Sequence, residues 1–285
     1  MSFGAMSSEA WTPLPDDQLS WFRADQKLFL LPRPLDYSLE IHAVVFGLTY
    51  ALESVEFPLY AVRSRLINGR TYLAAVPSAM AENNLAQRLA NIHDQSIRYT
   101  RNIQRAWEQQ IKPEVERYNR WFDEAASFIG TANEFGELLR QLRRARGNQW
   151  FAAIRGTIVP TLLLRQKAGD RGAPIVESAG KLTKEALQLV AQGGGERVAA
   201  VLRNVGQRLV EDNVIDQAED VFWLEWLEAR ELLQSAADRR PLVAQRQREV
   251  GENISVMMPD TLGPALPADA PRMYLLKEVL QMLDQ

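Results

Sequence analysis

The sequence predicts a mainly α-helical protein, a multi-helix bundle with one long kinked helix and a small β-hairpin. Apolar residues recur at three- and four-residue steps over several long stretches, a pattern typical of helices that bury one face. Hydrophobic residues make up 46% and charged residues 24% of the 285 residues, which is the composition of a globular chain. The chain has no cysteine, which excludes disulfides, thiolate catalysis and cysteine zinc sites.

The first part of the chain predicts an irregular arm over residues 1–37, followed by a helix and a hairpin. Prolines fix the backbone of the arm and remove amide donors, so a long helix is not expected there. The helix is expected to begin at Ser38, because Leu39, Ala43, Phe46 and Tyr50 recur at helical spacing. Asn68-Gly69 predicts a hairpin over residues 63–76, since both residues tolerate the positive φ angles of a tight turn.

Residues 83–126 predict the longest helix, with a continuous apolar stripe that includes Trp107 and Tyr118. Pro113 interrupts this pattern. Because proline lacks an amide proton and its ring clashes with the preceding turn, we expect a kink near Gln109.

Shorter helices punctuated by glycine are expected beyond this point, over residues 134–146, 149–168, 182–192, 196–212, 221–236 and 242–248. Gly193-Gly194-Gly195 is interpreted as a turn between two of them, because no strand precedes it and no Gly-Lys-Ser/Thr pattern follows it. The helical domain is predicted to span residues 38–258. A proline-rich segment and a C-terminal helix are predicted over residues 259–285.

Charge and hydropathy narrow the functional classes. A net charge of -3 and a pI near 5.6 give no basic field of the kind that draws proteins onto nucleic acid. No apolar stretch is long enough to span a bilayer and no secretory signal is readable, so we expect a cytoplasmic protein without a membrane partner. With only two histidines, far apart in sequence, no metal site is expected.

The most specific stretch covers residues 205–224, where a helix ends near Asn213 and an acidic residue opens an aromatic segment. It resembles a signature in the helical middle region of the phosphoenolpyruvate-utilising enzymes, which include pyruvate phosphate dikinase, phosphoenolpyruvate synthase and rifampicin phosphotransferase. The residues similar to that signature are Gly206, Leu209, Ile215, Asp220, Val221, Phe222 and Leu224. Asn213 replaces the usual glycine, a mild change because asparagine also tolerates the left-handed conformation. Ala218 replaces a frequent proline.

Two earlier segments resemble the same region. Trp21 followed by Leu31-Pro32-Arg33-Pro34-Leu35 is similar to its proline-rich start, and residues 65–72 are similar to the hairpin of rifampicin phosphotransferases. Asp36-Tyr37-Ser38 replaces the usual Thr-Pro-Leu, so a contact made there in the family is in doubt. Together the matches cover residues 21–240.

The resemblance implies the acceptor-binding helical region of such an enzyme. No ATP-grasp domain and no phosphohistidine domain is readable, so we expect an acceptor-binding subunit of a multi-chain phosphotransferase acting on a bulky or aromatic hydroxyl compound. Partner chains would supply the ATP-grasp and phosphohistidine domains, with ATP and Mg²⁺ on a partner and no cofactor on this chain. Two alternatives remain: a lyase or hydratase subunit for an aromatic or enol-ether compound, and a non-catalytic binding protein.

Candidate site residues follow the long apolar stripe and the hairpin. Arg98, Arg101 and Arg105 border the stripe and would hold a carboxylate, phenolate or phosphate, unless they form a solvated, salt-bridged face. Trp107 and Tyr118 would stack on an aromatic ligand, with core packing as the alternative. Arg63 and Arg65 at the hairpin would face a cleft or a partner chain, with a basic hairpin rim that has no function as the alternative. His93 is a candidate for a general base, with a hydrogen-bonded surface or packing histidine as the alternative, and no other catalytic residue is identified. His42 is expected to be a satisfied core group.

Overall fold

The structure is a computed structural model that describes residues 19–24, 33–54, 60–67, 69–77, 103–161, 173–235, 237–253 and 259–264. Over these ranges the chain is mainly α-helical with a small antiparallel sheet, which confirms the predicted fold class. None of the helices in these ranges is both long enough and apolar enough to cross a bilayer.

The helical segments of the described ranges are numbered here in chain order, and several contain π-helical turns. Helix α1 comprises Pro34–Asp36, the π turn Tyr37–Ile41 and His42–Ser54. Helix α2 comprises Ile103–Ala106, the π turn Trp107–Ile111 and Lys112–Ala126. Helix α3 comprises Ala132–Ala153 and the π turn Ile154–Ile158. Helix α4 comprises Ala173–Leu187, the π-helical Gln188–Gly194 and Gly195–Glu211. A 3-10 helix over Ala218–Trp223 precedes α5, Trp226–Ser235, and α6, Arg240–Asn253.

The sheet is antiparallel, with the strand order β2-β3-β1-β4. Its strands are β1 (Trp21–Arg23), β2 (Tyr60–Ile67), β3 (Arg70–Pro77) and β4 (Thr261–Leu262). The predicted hairpin is confirmed, because Ile67 pairs with Arg70 and Gly69 adopts a φ of 71° at the connection. Strands β1 and β4 were not predicted. They are too short to show an alternating pattern and acquire partners only through the tertiary fold.

Helix α1 begins earlier than predicted. The sequence predicted an arm up to residue 37, but the helix starts at Pro34 and the Tyr37 amide already donates to the Arg33 carbonyl. Proline is well suited to the first helical position, because the amide proton that it lacks would have no partner inside the helix. Pro34, one of the prolines that argued against a helix, therefore marks its first turn.

The kink predicted in α2 takes the form of a π turn. Pro113 cannot donate to Gln109, and the Lys112 amide donates instead to the Trp107 carbonyl, five residues back. The disturbance therefore falls where the sequence predicted it. The preceding part of the predicted long helix, residues 83–102, lies outside the described residues, as does the predicted C-terminal helix.

The sequence predicted that glycines separate the helices, but two helices continue through them. Helix α3 passes through Gly147, and α4 passes through Gly193-Gly194-Gly195, which was interpreted as a turn. Gly194 is buried, and a Cβ built there would lie 2.7 Å from Gln149 Oε1 and would overlap Arg146 Nη1. The glycine therefore makes room for buried polar side chains rather than a change of direction.

The segment that carries the family resemblance is held by a helix end and a capped 3-10 helix. Asn213 has a φ of 57°, which confirms the predicted left-handed helix end. The Asn213 amide donates to the Val210 carbonyl and the Val214 amide donates to the Leu209 carbonyl, each at 2.9 Å. This is the arrangement of a Schellman motif. Asp220 is buried and accepts from the Gln217 amide at 3.2 Å, so it helps to cap the 3-10 helix that carries Phe222 into the core.

Two hydrophobic clusters hold the helices together. The first joins α1, the start of α2, the end of α3 and the first half of α4 around Trp107 and Trp150. The second joins the end of α2, the start of α3, the second half of α4, the 3-10 helix and α5 around Phe122 and Phe222. Helix α3 contributes to both clusters, so it is the central element of the described fold.

Candidate functional site

A groove with a volume of about 430 Å³ opens between helices α1, α3 and α5. We call it the arginine groove, because guanidinium groups and aromatic rings dominate its lining. Its lining residues are His42, Ala43, Phe46, Arg140, Arg143, Arg144, Gly147, Trp226 and Arg230. It combines positive charge with apolar walls, which suits a bulky anion.

Helical spacing explains how these side chains meet. Arg140, Arg143, Arg144 and Gly147 stand at positions i, i+3, i+4 and i+7 of α3 and therefore share one face. The opposite face of α3 is buried in the two hydrophobic clusters. On α5, Trp226 and Arg230 are one helical turn apart. The groove thus forms where the polar face of α3 is flanked by two neighbouring helices.

Small residues bring α1 and α3 close beneath the groove. A Cβ at Gly47 would lie 2.8 Å from the Phe151 backbone nitrogen, so only glycine fits this crossing without a shift of the backbone. A Cβ at Gly147 would lie 3.1 Å from the Phe46 ring, which packs directly over this glycine. Phe46 remains 40% exposed, so its ring also offers a free apolar surface to the groove.

His42 lies at the groove and not in the core, where the sequence had placed it. Arg143 Nη2 is 3.1 Å from His42 Nδ1, and a guanidinium only donates, so Nδ1 accepts and the ring proton of the neutral imidazole lies on Nε2. Burial lowers the pKa of His42, and the positive charge of Arg143 lowers it further. His42 is therefore a neutral hydrogen-bond donor at neutral pH.

The arginines of the groove are only partly balanced by carboxylates. Arg140 pairs with Glu137 one turn away. The Arg143 guanidinium lies 5.6 Å from the centre of the Trp226 ring, and burial lowers its pKa. Within the part of the chain that the structure describes, Arg143, Arg144 and Arg230 form no ion pair with a carboxylate. The groove therefore carries uncompensated positive charge next to aromatic surface.

A buried polar cluster, the Arg146 network, lies on the far side of α3. Arg146 is fully buried and donates from Nε to Glu40 Oε1 at 2.8 Å, from Nη2 to Glu40 Oε2 at 2.6 Å and from Nη1 to the Val190 carbonyl at 2.9 Å. It also donates to Gln149, whose amide group donates to Asn119 Oδ1 at 2.7 Å.

This network ties four helices together: Glu40 lies on α1, Asn119 on α2, Arg146 and Gln149 on α3, and Val190 in the π-helical part of α4. π-Helical segments are frequent at functional sites. Glu40 precedes His42 by two residues, and Arg146 directly precedes Gly147. The network therefore fixes the relative position of the two helices whose other faces form the arginine groove.

The structure distributes the residues predicted from the sequence over several places. Arg63 and Arg65 lie on β2, with the Arg65 guanidinium 5.8 Å from the centre of the Trp21 ring. Arg105 is exposed and donates to Gln109 Oε1 at 3.0 Å. Trp107 is buried in the first cluster, whereas Tyr118 packs against the second, so the two rings do not share a surface. His93, Arg98 and Arg101 lie outside the described residues.

Sequence reasoning missed the residues of the arginine groove and of the Arg146 network, although signals for both exist. The basic triplet at i, i+3 and i+4 of α3 marks one polar face. Arg146 and Gln149 instead stand in line with Leu139 and Leu142, on the face that helical periodicity assigns to the core. Polar residues at core positions indicate a buried network that needs partners from other helices.

The described ranges contain no group of three or more histidine, aspartate or glutamate side chains that could hold a metal ion. Comparison of the chain with models of known protein families, with curated proteins and with solved structures finds no match.

Proposed function

We propose that this chain binds the acceptor in a multi-chain phosphotransferase of the phosphoenolpyruvate-synthase type. The acceptor is a bulky or aromatic hydroxyl compound, and the arginine groove is its binding site. The observation that carries the proposal is the juxtaposition of uncompensated guanidinium groups with Phe46 and Trp226.

The chemistry of phosphoryl transfer suits this arrangement. Negative charge spreads over the oxygens of the transferring group, so catalysis depends mainly on positioning and on fixed positive charge. In the groove an aromatic acceptor would lie against Phe46, and its oxygen would be directed at Arg143 and Arg144. The resemblance of residues 205–224 to the phosphoenolpyruvate-utilising enzymes supports this reaction class, and the donors of the groove are compatible with it.

The remaining parts of the reaction belong to partner chains in this proposal. An ATP-grasp chain would charge a histidine on a second partner, and the acceptor oxygen would then bond to phosphorus as the phosphorus–nitrogen bond breaks. ATP and Mg²⁺ are assigned to the partner that carries the ATP-grasp domain, as the resemblance implies. This chain contributes binding, orientation and positive charge.

The experiment is a pull-down of the tagged chain from its native cell extract, with mass spectrometry of the captured proteins. An ATP-grasp protein or a phosphohistidine-domain protein is expected among them. The captured complex should then transfer labelled phosphate from ATP to a phenol. Recovery of the chain alone, in an extract where both partner classes are detected, would contradict the proposal.

Variants link this activity to the groove. Arg143→Met and Arg144→Met each remove one charge that no carboxylate offsets, and we expect each to lower transfer at least about tenfold. Arg248→Met is the matched control, because Arg248 is an exposed residue of α6 that does not line the groove. If all three variants transferred phosphate as fast as the unmodified chain, the groove would not be the acceptor site.

A further inference from the structure

We propose that the arginine groove binds the acceptor hydroxyl as its oxyanion, so that the ligand class is a phenol or a similarly acidic enol rather than an alkyl alcohol. The inference rests on the proposed function only for the statement that the ligand is a hydroxyl compound. The reactive, deprotonated form is selected by binding, and no side chain of the groove is required to act as a base.

The polar side chains that line the groove act as hydrogen-bond donors. Arginine has no acceptor atom. His42 Nδ1 already accepts a hydrogen bond from Arg143, and the other ring nitrogen of His42 carries the proton. A neutral hydroxyl would bring one more donor to a set of side chains that offers its proton no free acceptor, whereas an oxyanion accepts from several of these groups.

The charges around the groove favour the same form of the ligand. Helix α1 contributes the neutral His42, α3 contributes Arg140, Arg143 and Arg144, and α5 contributes Arg230. Carboxylates on the same helices include Glu137, paired with Arg140, Glu40, bonded to Arg146, and Glu228, paired with Arg246. Glu231 lines an adjoining pocket with Arg140 and Arg230. No carboxylate lines the groove beside Arg143 and Arg144 within the described ranges.

The size of the effect defines the ligand class. An opposite charge within a few ångströms lowers the pKa of an acid by about 1–3 units. Two such charges bring the pKa of a phenol, about 10 in water, close to neutral pH, whereas an alkyl alcohol is far too weak an acid to ionise there. On binding, the phenol loses its proton to solvent and the groove takes the phenolate, whose oxygen lone pair is then available to attack phosphorus.

The experiment uses the full chain alone and 4-nitrophenol, whose phenolate absorbs at a longer wavelength than the phenol. Absorbance is titrated against pH with and without saturating protein. The pKa of bound 4-nitrophenol is expected to lie at least about one unit below that of the free compound, a tenfold preference for the phenolate. 4-Nitrobenzyl alcohol, which has a similar ring but no acidic hydroxyl, is expected to bind at least about tenfold more weakly.

Variants and alternative results decide the inference. Arg143→Met and Arg144→Met should each reduce the shift, while Arg248→Met should leave it unchanged, with circular dichroism confirming that all three fold. Binding of 4-nitrophenol with an unshifted pKa would overturn the inference, as would absence of binding or equal binding of the benzyl alcohol. These results do not depend on partner chains, so a failed pull-down would refute the phosphotransferase proposal without affecting this measurement.

Discussion

Replacing Arg146 by methionine tests whether the Arg146 network holds the groove-forming helices together. The side chain is 0% exposed and that of Glu40 is 12% exposed, so the ion pair is largely removed from water. Methionine fills a similar volume but donates no hydrogen bond. It leaves the Glu40 carboxylate and the Val190 carbonyl without their donor.

The expected loss follows from these contacts. Removing one partner of a buried ion pair costs about 3–5 kcal/mol, because the other charge remains buried and unpaired. Lys181→Met is the matched control: Lys181 and Glu177 are 76% and 70% exposed and lie one helical turn apart on α4. An exposed pair of this kind contributes about 0.3–0.5 kcal/mol.

The assay is equilibrium denaturation in urea followed by circular dichroism, with the slope of free energy against urea compared between variants. The double variant Glu40→Gln and Arg146→Met removes both charges, so it should be less destabilised than the sum of the two single variants. A loss below about 1 kcal/mol for Arg146→Met, or additive single effects, would refute the reasoning.

Three further predictions concern the helix crossing, a helix end and pH. Gly47→Ala should destabilise the fold by about 1–3 kcal/mol, because its Cβ meets the backbone of α3, whereas Gly180→Ala in open space on α4 should stabilise it by up to about 1 kcal/mol; urea denaturation measures both. Asn213→Val should cost about 1–2 kcal/mol and Asn213→Gly should cost nothing, because only the branched side chain opposes a φ of 57°; thermal unfolding compares the two variants. Since burial and Arg143 hold the pKa of His42 below its ordinary 6.5, the folded state binds this proton less readily than the unfolded state, so the free energy of unfolding should fall as the pH drops below 6.5. His42→Gln should remove this part of the pH dependence in urea titrations at several pH values, and an unchanged profile would contradict it.

Local sequence patterns were sufficient to predict a structural feature where one physical effect dominated. The Asn-Gly turn, the missing amide of Pro113 and the left-handed tolerance of Asn213 each act within a few residues, so the hairpin, the disturbance of α2 and the end of α4 were predictable. The same reasoning misread Pro34 and the triple glycine. A proline is compatible with a helix start, and a glycine inside a helix is decided by what packs against it.

The sequence by itself determined the mainly helical class, the apolar faces that form the two clusters and the absence of cysteine chemistry. Only the tertiary structure decided which polar residues meet. Arg143 and His42 are 101 residues apart, and Arg146 reaches Glu40 over 106 residues and Val190 over 44. Periodicity assigns a residue to a face of its own helix, but the crossing of α1 and α3 at Gly47 sets which faces oppose each other. The arginine groove and the Arg146 network therefore arise from helix packing, which no local pattern specifies.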